Sequence, residues 1–250
     1  MAPALVVRMG APATELAARA GRLQGSATAA VMNEAAALRA AGRDLVDFGV
    51  GEPDFATPEH IREAAIRALR DNFTKYTATG GMAELRAAIA TAHRRDYGSD
   101  YKTHQTLVTV GGKQALFNAM SVVVDHGDEV ILPSPYWVSF RDQIAYCGGV
   151  PVIVPTASGD GFALSADAVA RAITPRTKAI VLNSPANPSG AVYPPALFQR
   201  VLELCQRHRL WLISDECYVK LSYDSAPYSV ASEAGSQERV IISGTFSKTY

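Results

Sequence analysis

The sequence predicts an α/β fold, a mostly parallel sheet covered by helices on both faces. From Gln105 onward, apolar runs of four or five residues alternate with longer stretches of helical periodicity. The runs are near-continuously apolar, as in strands buried on both sides. Their alternation with helices implies right-handed crossovers, and therefore parallel neighbours.

The first hundred residues carry three helical patterns, at Thr28–Ala40, Pro58–Arg70 and Met82–Tyr97. The second has a start signal, with Thr57 as N-cap, Pro58 at the first helical position and Glu59 after it. Between the helices lie Gly49–Thr57 and Thr74–Gly81, rich in Gly, Pro and Thr, which read as loops. Thr106–Val110 then reads as a strand and Gln114–Val124 as a helix. Glu129–Leu132 and Val150–Val154 are strands and Ser165–Ile173 a helix. Lys178–Leu182 is a strand, Pro195–Arg207 a helix, and Trp211–Ser214 and Val240–Ser243 are strands.

Bulk properties narrow the function. The chain has 250 residues, 48% of them hydrophobic, enough for one large domain with a smaller annex. Lys+Arg and Asp+Glu are equal at 24 each, so no strong field invites nucleic acid or an acidic membrane. A small-molecule partner fits better. No apolar run approaches the roughly 20 residues of a spanning helix. The N-terminus lacks the long apolar region of a secretory signal. Cys147, Cys205 and Cys217 form no close-spaced framework, which suits a reducing cytoplasm. The five histidines are scattered without metal-ligand spacing, so no metal site is expected.

Ligands of an open parallel sheet bind beyond the carboxyl ends of its strands. Four segments following strands should meet there: Gly111–Gln114, Asn183–Gly190, Asp215–Tyr218 and Gly244–Lys248. Gly111-Gly112 permits a tight turn into a helix whose N-terminus suits a phosphate; a plain strand-to-helix turn would read the same. Asp215 could cap the next helix or pair with a protonated pyridine nitrogen. Lys248 could be a solvated surface group or, in a closed site, a Schiff-base former and proton shuttle. Asn187 and Tyr218 could brace their loops or donate to a phenolate oxygen. Tyr136 and Trp137 could be core or a stacking face for a planar ring.

Together these residues resemble a known family. Gly51-Glu52-Pro53-Asp54-Phe55, Lys75-Tyr76, Gly112-Lys113-Gln114, Ser134-Pro135-Tyr136-Trp137, Asn183-Ser184-Pro185-x-Asn187-Pro188-x-Gly190, Asp215-Glu216-x-Tyr218 and Ser247-Lys248 occur in the order seen in class I/II aminotransferases. The chain most resembles the bacterial and archaeal aspartate and aspartate/prephenate enzymes, from about Thr28 to its last residue. No single piece is specific; the seven-part order is.

The resemblance implies a fold type I transferase dependent on pyridoxal 5'-phosphate, bound covalently to Lys248, which would also be the catalytic base. Asp215 would pair with the pyridine nitrogen, Tyr218 and Asn187 would hold the phenolic oxygen, and Trp137 would stack on the ring. Gly112, Lys113, Gln114, Thr245 and Ser247 would lie at the phosphate end. Tyr76 would reach the phosphate of a neighbouring subunit, making the active unit a homodimer. Gly51, Trp137 and Asn187 would contact substrate, with Lys113 and Thr28 facing the distal carboxylate of a dicarboxylic acid. The implied reaction is ping-pong transfer of an amino group between aspartate and 2-oxoglutarate, with prephenate or aromatic oxo acids as further partners.

Thr245 departs from the Ser or Gly common in the family's lysine motif but keeps a hydroxyl. Residues 1–48 would be an N-terminal arm and part of a small domain, and 49–250 the large cofactor-binding domain. The family continues past the lysine with an arginine near the phosphate and a C-terminal small domain carrying the α-carboxylate arginine. The expectation is therefore an incomplete protein, with little transaminase activity from these residues alone. Two competing readings are a pyridoxal-phosphate-dependent C–S lyase and the ligand-sensing domain of a regulator. Lys113 with Thr28 argues against the lyase, since a neutral side chain needs no cation. The 27 or so residues ahead of the resemblance are too few for a DNA-binding module.

Overall fold

Five strands form one sheet in the order β2-β1-β3-β4-β5, every neighbouring pair parallel. They are β1 (Glu129–Ser134), β2 (Val150–Pro155), β3 (Thr177–Asn183), β4 (Trp211–Asp215) and β5 (Val240–Ser243). The computed structural model describes residues 17–23, 27–49 and 51–250, without the side chains of 27–29. Its helices of four residues or more are α1 (Ala27–Ala40), α2 (Glu59–Arg70), α3 (Ala83–Tyr97), α4 (Gly111–Val123), α5 (Val138–Tyr146), α6 (Ala166–Ala172), α7 (Pro195–His208) and α8 (Ser236–Arg239).

The near-continuous apolarity of the strands has a direct structural counterpart. Successive residues of a strand point to opposite faces, and here both faces are covered. Ile131, Ile180, Leu182 and Leu212 pack with α6 and α7 on one side. Val130, Leu132, Val181 and Ile213 pack with α4 and α5 on the other. Each of these side chains is essentially removed from water, worth about 1.5–3 kcal/mol apiece relative to exposure. Two apolar layers thus fix the register of β1, β3 and β4, because a one-residue slip would exchange the layers.

The sheet order reverses between β1 and β3. The chain runs from β1 outward to β2, returns to β3 and continues the other way. In open α/β sheets this switch point opens a crevice beyond the strand ends, where ligands bind. The residues after β1 and β3, Trp137 and Asn187 among them, flank it.

Two expectations are corrected. Thr106–Val110 is not a strand of the sheet: β5 pairs only with β4, and the segment's backbone contact is Val108 N–H to the Gly80 carbonyl, 3.0 Å. Its apolar composition is strand-like, but a strand needs a ladder partner, and none lies beside it among the described residues. Gly111-Gly112 still reaches the expected edge because α4 packs on β4 and β5. Thr57 is not the cap of α2 either. Pro58, extended at ψ 139°, takes that position, and no side chain caps the helix. The structure also adds α5, whose buried positions Phe140, Gln143 and Ile144 keep helical spacing. Gln143 masks the apolar pattern. Its amide donates to the Lys113 carbonyl at 3.2 Å, tying α5 to the start of α4.

Candidate active site

The carboxyl ends of β3, β4 and β5 deliver their loops to one edge. Asp215 ends β4 and is buried, 4% exposed. Its Oδ1 accepts the Cys217 N–H at 3.2 Å. Among the described residues no cation pairs with it. Burial therefore pushes its pKa up to about 6, only partly offset by the contacts with Cys217. A buried carboxylate so placed suits a ligand that brings its own N–H or positive charge.

The loop after β3 is braced against the end of β4. Asn183 Nδ2 donates to the Asp215 carbonyl at 3.1 Å, and the Ser184 N–H donates to the same oxygen at 3.2 Å. The Asn183 side-chain oxygen in turn accepts the Asn187 N–H at 2.7 Å. This places Asn187 Nδ2 3.3 Å from Tyr218 Oη, where it donates. The amide's second hydrogen and the phenol O–H remain to be shared with one acceptor placed between them.

Lys248 lies in the turn that follows β5. Its Nζ donates to the Gly51 carbonyl at 2.5 Å and stands 6.0 Å from the centre of the Tyr218 ring. Its charge partly opposes burial and Asp215, which drive the pKa of the half-buried Cys217 thiol far up. Among the described residues no carboxylate forms a salt bridge with Lys248.

The start of α4 closes the group. Gly111 takes φ +76°, a conformation that side chains resist, and turns the chain into the helix. A Cβ on Gly112 would lie 3.5 Å from Thr245 Cβ and 3.8 Å from Ser243 Oγ, so this helix end abuts the turn carrying Lys248. The first N–H groups of a helix have no partner within it, leaving Gly112, Lys113 and Gln114 as donors beside a positive dipole end. Gln114 turns its side chain back, its Oε1 accepting the Val110 N–H at 2.7 Å. Lys113 Nζ lies over the Trp137 ring, 5.1 Å from its centre, and that ring stands edge-on to Phe140 at 5.5 Å. Thr245 Oγ1 and Ser247 Oγ are 3.0 Å apart on the exposed turn.

The structure thus brings together Lys248, Gly51, Asp215, Asn187, Tyr218, Gly112 and Thr245, with Lys113 and Trp137 paired alongside. It does not bring Tyr76 to them. Tyr76 is fully exposed on the loop between α2 and α3. Thr28 lies in the first turn of α1, and its side chain is outside the described residues.

The family model for class I and II aminotransferases matches residues 43–250, most of the chain. The chain belongs to this family. It is 49% identical over 214 residues, 86% of its length, to a probable aspartate/prephenate aminotransferase of Thermus aquaticus, and covers 56% of that protein. It is 42% identical to an aspartate aminotransferase of Geobacillus stearothermophilus, covering 92% of this chain and 59% of the other. The solved structure of the Thermus thermophilus aspartate aminotransferase with maleate superposes with a TM-score of 0.90 at 46% identity, over 93% of this chain and 60% of that one. The chain thus spans less than two thirds of the length of these relatives.

Two buried polar groups of this family member were not singled out by sequence reasoning. Glu216 faces the other side of the sheet, where its Oε1 accepts Ser214 Oγ at 3.0 Å and the Val230 N–H at 3.3 Å. Burial pushes its pKa up to about 7. Ser243, the last residue of β5, has a buried hydroxyl without a hydrogen-bond partner among the described residues. Ser243 closes the apolar run of β5 and Glu216 directly follows β4, and a polar residue at the end of a buried strand is the signal that could have flagged them.

Proposed function

We propose that this protein takes part in pyridoxal-phosphate-dependent transamination, moving an amino group between aspartate and 2-oxoglutarate. The observation that carries the reading is the pairing of opposites at one sheet edge. Among the described residues, a lysine without a carboxylate partner faces a region that also holds Asp215, a buried carboxylate without a cation. The names of relatives at 49% and 42% identity, aspartate/prephenate and aspartate aminotransferases, support it.

The residues present fit the cofactor. Asp215 would hold the ring nitrogen's proton, since a buried carboxylate stabilises that cation. Asn187 Nδ2 and Tyr218 Oη, 3.3 Å apart, would donate to the phenolic oxygen. The free N–H groups of Gly112, Lys113 and Gln114, with Thr245 and Ser247, would receive the phosphate. Trp137 would flank the ring. When bound, pyridoxal phosphate supplies an electron sink for the pair left behind as the α-proton departs. Lys248 would hold the cofactor and would serve as the base that takes the substrate's α-proton.

Substrate choice would rest on Lys113, whose ammonium beside Trp137 suits a distal carboxylate, with Thr28 as its companion. Gly51 would line the α-carboxylate side. Tyr76, exposed on the loop between α2 and α3, would serve a second copy in a homodimer. Residues 49–250 would form the large cofactor domain, with 1–48 as arm and part of a small domain.

The test is spectroscopic. The protein is mixed with pyridoxal phosphate, its visible spectrum recorded before and after borohydride, and the modified residue mapped. A visible band that reduction fixes on Lys248, with amino transfer from aspartate to 2-oxoglutarate, is the expected result. A folded protein showing no band, or labelled elsewhere, would sink the reading.

A further inference from the structure

Ser243 Oγ is the one orphaned hydroxyl at the carboxyl edge of the sheet: the residue is 4% exposed, and its oxygen has neither solvent nor a hydrogen-bond partner among the described residues. A buried polar atom without a partner destabilises the fold around it. Its surroundings narrow what could repay that cost. In the sheet register Ser243 lies directly beside Asp215, yet the two side chains form no hydrogen bond. Ile241, two residues earlier and on the same side, packs with the α4 and α5 layer. Ser243 therefore faces α4, and its Oγ would lie 3.8 Å from a Cβ placed on Gly112. Thr245, also beside Gly112, has its hydroxyl engaged with Ser247. A buried, unengaged hydroxyl is thus aimed at a helix N-terminus whose own N–H groups are free.

We propose that Ser243 is a further ligand of the phosphate end of the cofactor site, its hydroxyl donating to an anionic oxygen held at the N-terminus of α4. This rests on the cofactor reading above and adds to it a residue buried beneath the exposed turn at Thr245 and Ser247. Ser243 brings a donor without a charge. That suits a position beside Asp215, where a lysine or arginine would pair with the carboxylate and remove it from its own task. The unpaired hydroxyl also means that the site trades some stability of the empty protein for affinity.

The experiment compares the whole chain with Ser243→Ala and Ser243→Cys. Three quantities are read: affinity for pyridoxal phosphate, affinity for pyridoxal, which lacks the phosphate, and the thermal midpoint without ligand. The expected result is a loss of about tenfold or more in affinity for pyridoxal phosphate. Affinity for pyridoxal should be unchanged, and the midpoint of Ser243→Ala equal to or above that of the parent. Equal losses for both ligands, or none, would overturn the proposal. So would a lowered midpoint shared by both variants with affinities intact, since Ser243 would then be structural. An NMR titration of the parent with inorganic phosphate separates the two readings. Shifts at Gly112 and Ser243 that Ser243→Ala weakens would keep the anion seat even if pyridoxal phosphate left no band. Absence of those shifts, with a normal visible band, would remove Ser243 and spare the cofactor reading.

Discussion

The ammonium of Lys248 donates to the carbonyl oxygen of Gly51 at 2.5 Å, joining residues 197 positions apart. A carbonyl positions a lysine without neutralising it, whereas a carboxylate would lock the charge in place. Lys248 is thus tethered but chemically free. Replacing it by Ala should abolish borohydride-fixed labelling by pyridoxal phosphate while leaving the fold intact. Mass spectrometry of the reduced protein checks this, and undiminished labelling at another lysine would remove Lys248 from its role.

Asp215 predicts a pH dependence. Its pKa is raised from 3.8 to about 6, which corresponds to about 3 kcal/mol. For a carboxyl whose folded pKa is raised, the folded state holds the proton more tightly. The contribution is then fully present below about pH 4 and lost as pH rises through 6. Between pH 4 and 7 the ligand-free protein should lose stability, and Asp215→Asn should flatten that fall by about 3 kcal/mol. Denaturant titrations at several pH values measure it. An unchanged slope in the variant would mean that Asp215 is ionised throughout.

Tyr218 and Asn187 should tune the spectrum of the loaded protein. Two donors to one negative oxygen lower its proton affinity and that of groups coupled to it. Tyr218→Phe should therefore raise the midpoint of the visible band's pH titration by about one unit. An unmoved midpoint would place the Tyr218 hydroxyl elsewhere.

Lys113 should separate substrates by charge. Its ammonium stands over Trp137 at 5.1 Å, clear of any salt bridge among the described residues. Lys113→Gln should weaken binding of a dicarboxylic acid such as maleate by about tenfold and leave an aromatic monocarboxylic acid nearly untouched. Parallel losses for both would assign Lys113 to the cofactor alone.

Gly81 should be intolerant of any side chain. It takes φ +96°, and a Cβ there would lie 2.5 Å from Val108 Cβ. Strain and overlap act together, so Gly81→Ala should cost about 2 kcal/mol or more. The shift in denaturant midpoint reads this directly. A neutral result would show that the loop before α3 does not pack on the 106–110 segment.

Much of the fold was legible because burial on both faces writes itself into composition. Lys178–Leu182 and Trp211–Ser214 could hardly be anything but interior strands, and they became the centre of the sheet. The same rule misread Thr106–Val110, which has strand composition but no ladder partner. Composition reports what a segment can bury, while pairing depends on a neighbour elsewhere in the chain. At the candidate site, Lys248, Asp215, Asn187 and Tyr218 were readable from their places after strands. Ser243 was not, because it looked like the last residue of a strand and its significance lies in the partner it lacks.

The sequence by itself determined the alternation of strands and helices, the sheet edge to which the loops run, and the residue types that carry the chemistry. These are local properties, set by periodicity and by turn-forming residues. Only the tertiary structure decided which groups remain unsatisfied. Among the described residues, Asp215 is buried without a cation, Ser243 is buried without a partner, and Lys248 rests on a carbonyl from the far end of the chain. Whether a polar group is paired depends on every element packed around it, and those elements here come from segments up to 197 residues apart.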